Sequence, residues 1–117
     1  MEDAYSLMMR GRRLLEEGHP HGAALVLEKA VELEPEKTSI RETLARALYN
    51  SGQTAKAKEQ FQTMVDSHPS NDYAHFGLGL CQARTGERRA ARAHLKMALA
   101  MRPDSEVYRN ALAALGG

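Results

Sequence analysis

Arg12 and Arg46 stand 34 residues apart, with Arg84 close to the same register. Guanidinium groups repeated in this way form a basic strip able to meet acidic or carboxylate groups on another molecule. Glu16 and Glu42 lie near enough in sequence to pair with them, in which case the arginines are a solvated helix face. Other chemistry finds little footing. The five histidines, at 19, 21, 68, 75 and 94, contain no His-Glu-x-x-His spacing, and Cys81 is the only cysteine. His19-Pro20-His21 places two imidazoles around a proline in a turn, a poor chelate without further ligands. Gly77-Leu78-Gly79 has the start of a nucleotide loop but lacks the third glycine and a preceding strand. These residues give no catalytic site, no metal site and no cofactor.

The elements that hold these residues are set by an internal repeat. Pro35, Pro69 and Pro103 recur every 34 residues, and so do Gly18, Gly52 and Gly86; Ala23, Ala57 and Ala91; Leu27, Phe61 and Leu95; and the small residues Gly11, Ala45 and Gly79. A period of this length implies stacked supersecondary units. Turn signals divide the chain into helices at 3–17, 20–33, 38–51, 54–67, 72–85, 88–101 and 105–115. Each glycine sits just past a helix end, where positive φ is needed. Pro20 suits a first helical turn, and the three periodic prolines stop the helices before them. Thr38, Asp72, and Asp104 with Ser105 are the expected N-caps.

Packing follows from residue size. The small residues at 11, 45 and 79 and the alanines at 23, 57 and 91 allow close backbones, with Leu7, Leu14, Leu44, Leu48 and Leu78 meeting Leu27, Val31, Phe61, Val65, Leu95 and Leu99. Ile40, Ala47, Ala74 and Cys81 form the face expected toward a preceding repeat, where the first repeat has Ser6 and Arg13. Val107, Tyr108, Ala111, Leu112 and Leu115 make an apolar stripe on the last helix, expected to cap the third repeat and cover Met97 and Met101. Both ends then read as finished.

These positions resemble the tetratricopeptide repeat family, whose helix–turn–helix unit has a 34-residue period and a loose Trp, Leu-Gly, Tyr, Ala, Phe, Pro pattern. The match places Gly11, Ala23, Leu27 and Pro35 in one repeat, Ala45, Ala57, Phe61 and Pro69 in the next, and Gly79, Ala91, Leu95 and Pro103 in the third. Departures are Leu7, Arg41 and His75 at the Trp place, Leu14, Leu48 and Gln82 at the Tyr place, and Arg10 where leucine is usual. The resemblance implies an all-α, right-handed superhelical stack of three hairpins plus a C-terminal capping helix. It forms one domain over 1–117, with repeats at about 4–37, 38–71 and 72–105 and the cap at about 105–115.

The resemblance also implies a concave groove on the first helices of the hairpins. That groove would be lined by Tyr5, Met8, Met9 and Arg12; by Glu42, Thr43, Arg46, Tyr49 and Asn50; and by Tyr73, Phe76, Gly77, Leu80 and Arg84. Four of the six aromatics fall in this set, a concentration typical of binding surfaces, though each ring is equally placed to pack on neighbouring helices. One subset of the family reads the C-terminal carboxylate of chaperones with Lys, Asn and Arg. Here Met8, Arg12, Thr43, Tyr73 and Gly77 stand at those places, which disfavours that role. Gly77, in mid-helix, is expected to leave a hollow walled by Tyr73, Phe76 and Leu80 for a partner's apolar side chain; the other reading is that it merely allows close helix packing.

Composition neither requires nor excludes a charged partner. A net charge of +1 gives no footprint for nucleic acid or an anionic membrane. No apolar run approaches the ~18–20 residues of a membrane span. Acidic Glu2 and Asp3 directly after Met1 do not make a signal segment, so a cytoplasmic location is expected. Arg outnumbers Lys 11 to 5, a composition common in bacteria of high GC content. The expected function is a non-enzymatic interaction module for a protein or peptide partner. The other reading is a homo-oligomeric scaffold using the terminal helix or the groove.

Overall fold

The computed structural model describes residues 2–116, and these form seven α-helices: α1 Ala4–Glu16, α2 Pro20–Leu33, α3 Thr38–Asn50, α4 Thr54–Ser67, α5 Asp72–Arg84, α6 Arg88–Met101 and α7 Glu106–Ala114. Three helix–turn–helix hairpins, α1–α2, α3–α4 and α5–α6, are followed by the single helix α7. Each helix end lies within one residue of the end read from the sequence. The chain groups into two compact units, one running to Gln60 and the other starting at Phe61, so their boundary falls inside α4.

One turn is built three times. Gly18, Gly52 and Gly86 adopt φ of 81°, 82° and 84°, the left-handed conformation that leaves the preceding helix. In each case the glycine N–H donates to the carbonyl three residues back, and the next N–H donates to the carbonyl five back (His19 to Leu14, Gln53 to Leu48 and Glu87 to Gln82, all at 2.8 Å). The carbonyls orphaned at the helix end are thereby satisfied.

The proline turns carry a second recurring device. Two residues after each proline, Lys37, Asn71 and Ser105 share an extended backbone with ψ of 105°, 102° and 112°. This is the N-cap position. Asn71 accepts from the Ala74 N–H at 3.0 Å and Ser105 from the Tyr108 N–H at 3.1 Å, whereas the Lys37 side chain makes no capping bond. Thr38 and Asp72, expected as caps, are instead the first helical residues, one position too late for their oxygens to reach back. Asp3 caps α1 through the Ser6 N–H, and that bond holds its carboxyl below the usual range. Four residues beyond the cap, Arg41, His75 and Arg109 bond the carbonyls of Pro35, Pro69 and Pro103 at 3.0, 2.7 and 2.7 Å. His19 precedes α2 and Pro20 occupies its first turn, while His21 lies inside the helix rather than in a turn.

In the first unit, Gly11 gives the closest approach: a Cβ built there would lie 2.5 Å from Leu27 Cγ. Ala4, Leu7, Ala30 and Ile40 form a core cluster with Met8, Val26 and Val31 against it, so Ile40 packs toward the preceding hairpin as expected. Ser6 and Arg13 are exposed. Arg10, where leucine is usual, pairs with Glu2 at 2.7 Å.

In the second unit the same interlock recurs, a Cβ on Gly79 meeting Leu95 Cγ at 2.9 Å and the Ala91 carbonyl at 3.2 Å. His75 and His94 stack at 5.5 Å, and His94 bonds the Gln82 side chain at 2.9 Å. Ala91, Leu95 and Leu115 form a cluster joined by Phe76, Ala83, Ala111 and Leu112. Tyr108 fastens α7 to α5: its hydroxyl donates to Asp72 at 2.6 Å, and Arg102 pairs with the same carboxylate oxygen at 3.3 Å. Burial, then the Asp72 bond, raises the phenol pKa above its ordinary value. Arg88 donates to the Leu115 carbonyl and closes the C-terminal end of α7. Two expectations fail. Val107 is 62% exposed, and Met97 and Met101 remain exposed at 47% and 40%, because α7 turns Tyr108 and Leu115 inward and leaves that side of α6 open.

Two outcomes follow for stability. Lys37→Asn supplies the missing cap and is expected to stabilise the protein by ~0.5–1 kcal/mol, read by urea unfolding. Tyr108→Phe breaks the bond to Asp72 and is expected to cost ~1–2 kcal/mol, whereas Val107→Ala at its exposed site should stay within ~0.5 kcal/mol. Equal losses for the last two would contradict the anchoring of α7 by Tyr108.

Candidate functional site

The candidate residues of the first unit lie on α1 and α3. Tyr5 is 64% exposed and Met9 40% exposed, and Arg12, Arg46 and Asn50 are exposed. Glu42 and Tyr49 are half-buried, and Met8 is half-buried against the core cluster. Thr43 is buried, its hydroxyl donating to the Ser39 carbonyl at 2.8 Å, so it offers nothing to a partner. Met9, Arg12 and Arg46 meet Arg13 and Glu16 around a cleft of about 370 Å³. Three guanidinium groups, one carboxylate and a thioether therefore share one concavity. Arg13 was outside the expected set because its position was read as an end face; its spacing of four residues from Met9, one helical turn, is the signal that joins it to the cleft.

The candidates of the second unit behave differently. Tyr73 meets Phe61 edge-on at 6.0 Å and Phe76 at 5.9 Å, and Phe76 lies 4.7 Å from Tyr108. Tyr73 and Phe76 are half-buried among these rings rather than a free surface. Gly77 is buried, and a Cβ built on it would overlap the edge of the Phe61 ring. The hollow expected beside Tyr73, Phe76 and Leu80 is thus filled by Phe61 of α4, itself only 2% exposed. Leu80 is half-buried and Arg84 exposed. Cys81 is fully buried. Among the described residues no three His, Cys, Asp or Glu side chains converge as metal ligands, and no helix is long and apolar enough to cross a membrane.

Helical hairpins of this period, with small residues at 11, 45 and 79 and prolines closing each unit, define a helical repeat protein. Tetratricopeptide repeat family models match residues 14–69 and 42–106, and the chain belongs to this family. It is 30% identical over 81% of its length to a TPR repeat-containing thioredoxin of Arabidopsis thaliana, of which it spans 14%. Among solved structures, the first TPR of Spaghetti, bound to the HSP90 peptide SRMEEVD, superposes with a TM-score of 0.90 at 18% identity over 97% of this chain and 90% of that one. YrrB, described as a TPR protein with an unusual peptide-binding site, gives 0.89 at 28% identity over 95% of this chain and 57% of that one.

Because Phe61 occupies the space beside Gly77, Gly77→Ala is expected to lower stability. The ~1–3 kcal/mol of overpacking outweighs the ~1 kcal/mol gained in helix propensity. Phe61→Leu in the same chain should return part of the loss, and thermal unfolding of the two variants checks both signs. A Gly77→Ala protein more stable than the parent would mean that Phe61 does not fill the site.

Proposed function

We propose that this chain is a non-enzymatic protein-interaction module whose α1 and α3 face binds an acidic peptide, in extended or helical form. The observation that carries the reading is the cleft of Met9, Arg12, Arg13, Glu16 and Arg46. Three arginines facing one carboxylate leave a local excess of positive charge, and a planar guanidinium engages a carboxylate through two parallel bonds. Met9 offers an adaptable apolar contact beside them, and exposed Tyr5 extends the surface along α1. The reading is supported by two structural relatives, one bound to a peptide with two glutamates and an aspartate and one with a peptide-binding site of its own.

The test is fluorescence polarisation with a labelled heptapeptide carrying three glutamates and a free C-terminus, beside an amidated version with glutamine at those places. The acidic peptide should bind at least about tenfold more tightly, equivalent to ~1.4 kcal/mol. Arg12→Glu with Arg46→Glu should remove that preference while the melting temperature holds, and added salt should weaken binding. Equal binding of both peptides, or an unaltered preference in the charge-reversed protein, would overturn the acidic-peptide reading.

A further inference from the structure

Helix α6 differs from its two counterparts on the face that the repeat leaves open. In the 34-residue register, Ala93, Met97 and Met101 correspond to Glu59, Thr63 and Ser67 of α4 and to Leu25, Lys29 and Leu33 of α2. All nine are exposed, although α2 and α4 are each followed by a further hairpin. Openness at these positions is therefore a property of the repeat itself. What α6 puts there is its own. Ala100, also exposed, stands where α4 has Asp66 and α2 has Glu32. The helix carries Arg88, Arg89, Arg92 and Lys96 and no acidic residue. Arg88 is bonded to the Leu115 carbonyl and Arg92 is half-buried, which leaves Arg89 and Lys96 on the exposed side. The nearest acid in sequence, Glu87, precedes the helix and accepts from the Thr85 hydroxyl at 2.7 Å.

We propose that this open face of α6 docks an acidic amphipathic α-helix of another protein, laid along it. Ala93, Met97 and Ala100 are spaced four and three residues apart, the spacing of a seam between two helices packed side by side. Small residues at 93 and 100 let a second backbone come close, and Met97 between them, with Met101 at the edge, adapts to the side chains it meets. Arg89 and Lys96, seven residues apart, follow one flank of that seam and call for carboxylates on the flank of the occupant. A second copy of α6 is disfavoured because it would bring its own arginine and lysine to the same cations. An anionic lipid surface would use the cations but gain little from alanines, since helices that lie in a membrane interface insert bulky leucine, phenylalanine or tryptophan. The face belongs to the second unit and shares no residue with the arginine cleft on α1 and α3.

Titration calorimetry of the full chain with two synthetic helical peptides tests the proposal. Each peptide has three heptads with leucine and alanine alternating along its seam; one carries glutamate on both flanks and the other lysine. The glutamate peptide is expected to bind at least about tenfold more tightly. Arg89→Glu with Lys96→Glu should reverse that preference, and Met97→Asp should weaken the glutamate peptide at least about tenfold, in both cases at an unchanged melting temperature because the three sites are exposed. Arg12→Glu with Arg46→Glu should leave the preference intact. Binding of neither peptide, equal binding of both, or a preference that survives reversal of Arg89 and Lys96 would overturn the proposal. So would a dimer in light scattering that Met97→Asp dissociates, which makes the occupant a second copy of the chain. Co-sedimentation with phosphatidylglycerol vesicles, released by Arg89→Glu with Lys96→Glu while neither peptide binds, would overturn it in favour of a membrane surface.

Discussion

The structure depends on how closely the two helices of a hairpin approach. At Gly11 and Gly79 there is no room for a side chain, because Leu27 and Leu95 already occupy the space where a Cβ would stand. Close-packed interiors tolerate such contacts only when every neighbouring element is held in register. The tight glycine turns hold one end of the hairpins. At the other end, Arg41, His75 and Arg109 bind the carbonyls of the periodic prolines and pin each new helix to the turn before it. Arg41 and His75 stand at two of the places where the family usually has tryptophan, and there a hydrogen bond fixes the start of the helix.

Most of this was legible because it is periodic. A proline or a positive-φ glycine acts through the backbone of its own few residues, so helix ends could be read without knowing any tertiary contact. The caps were misread for an equally local reason. Thr38 and Asp72 have the right side chains, but the extended dihedrals fall one residue earlier, at Lys37 and Asn71, and a cap is defined by that backbone. The proline carbonyl bonds could not be read at all from the sequence, since Arg, His and Arg share no obvious identity beyond being donors.

The candidate site was legible in part. Arg12 and Arg46 were found through the repeat, and the structure puts them in one cleft with Met9. Gly77 was read as leaving a hollow for a partner's side chain, with close helix packing as the other reading, and the structure has the second, with Phe61 standing beside the glycine. A glycine in mid-helix reports that something stands close by, not whether it is a partner's side chain or Phe61 of the same protein. The aromatics divide for the same reason: Tyr5 is largely exposed, whereas Tyr73 and Phe76 have Phe61 and Tyr108 beside them.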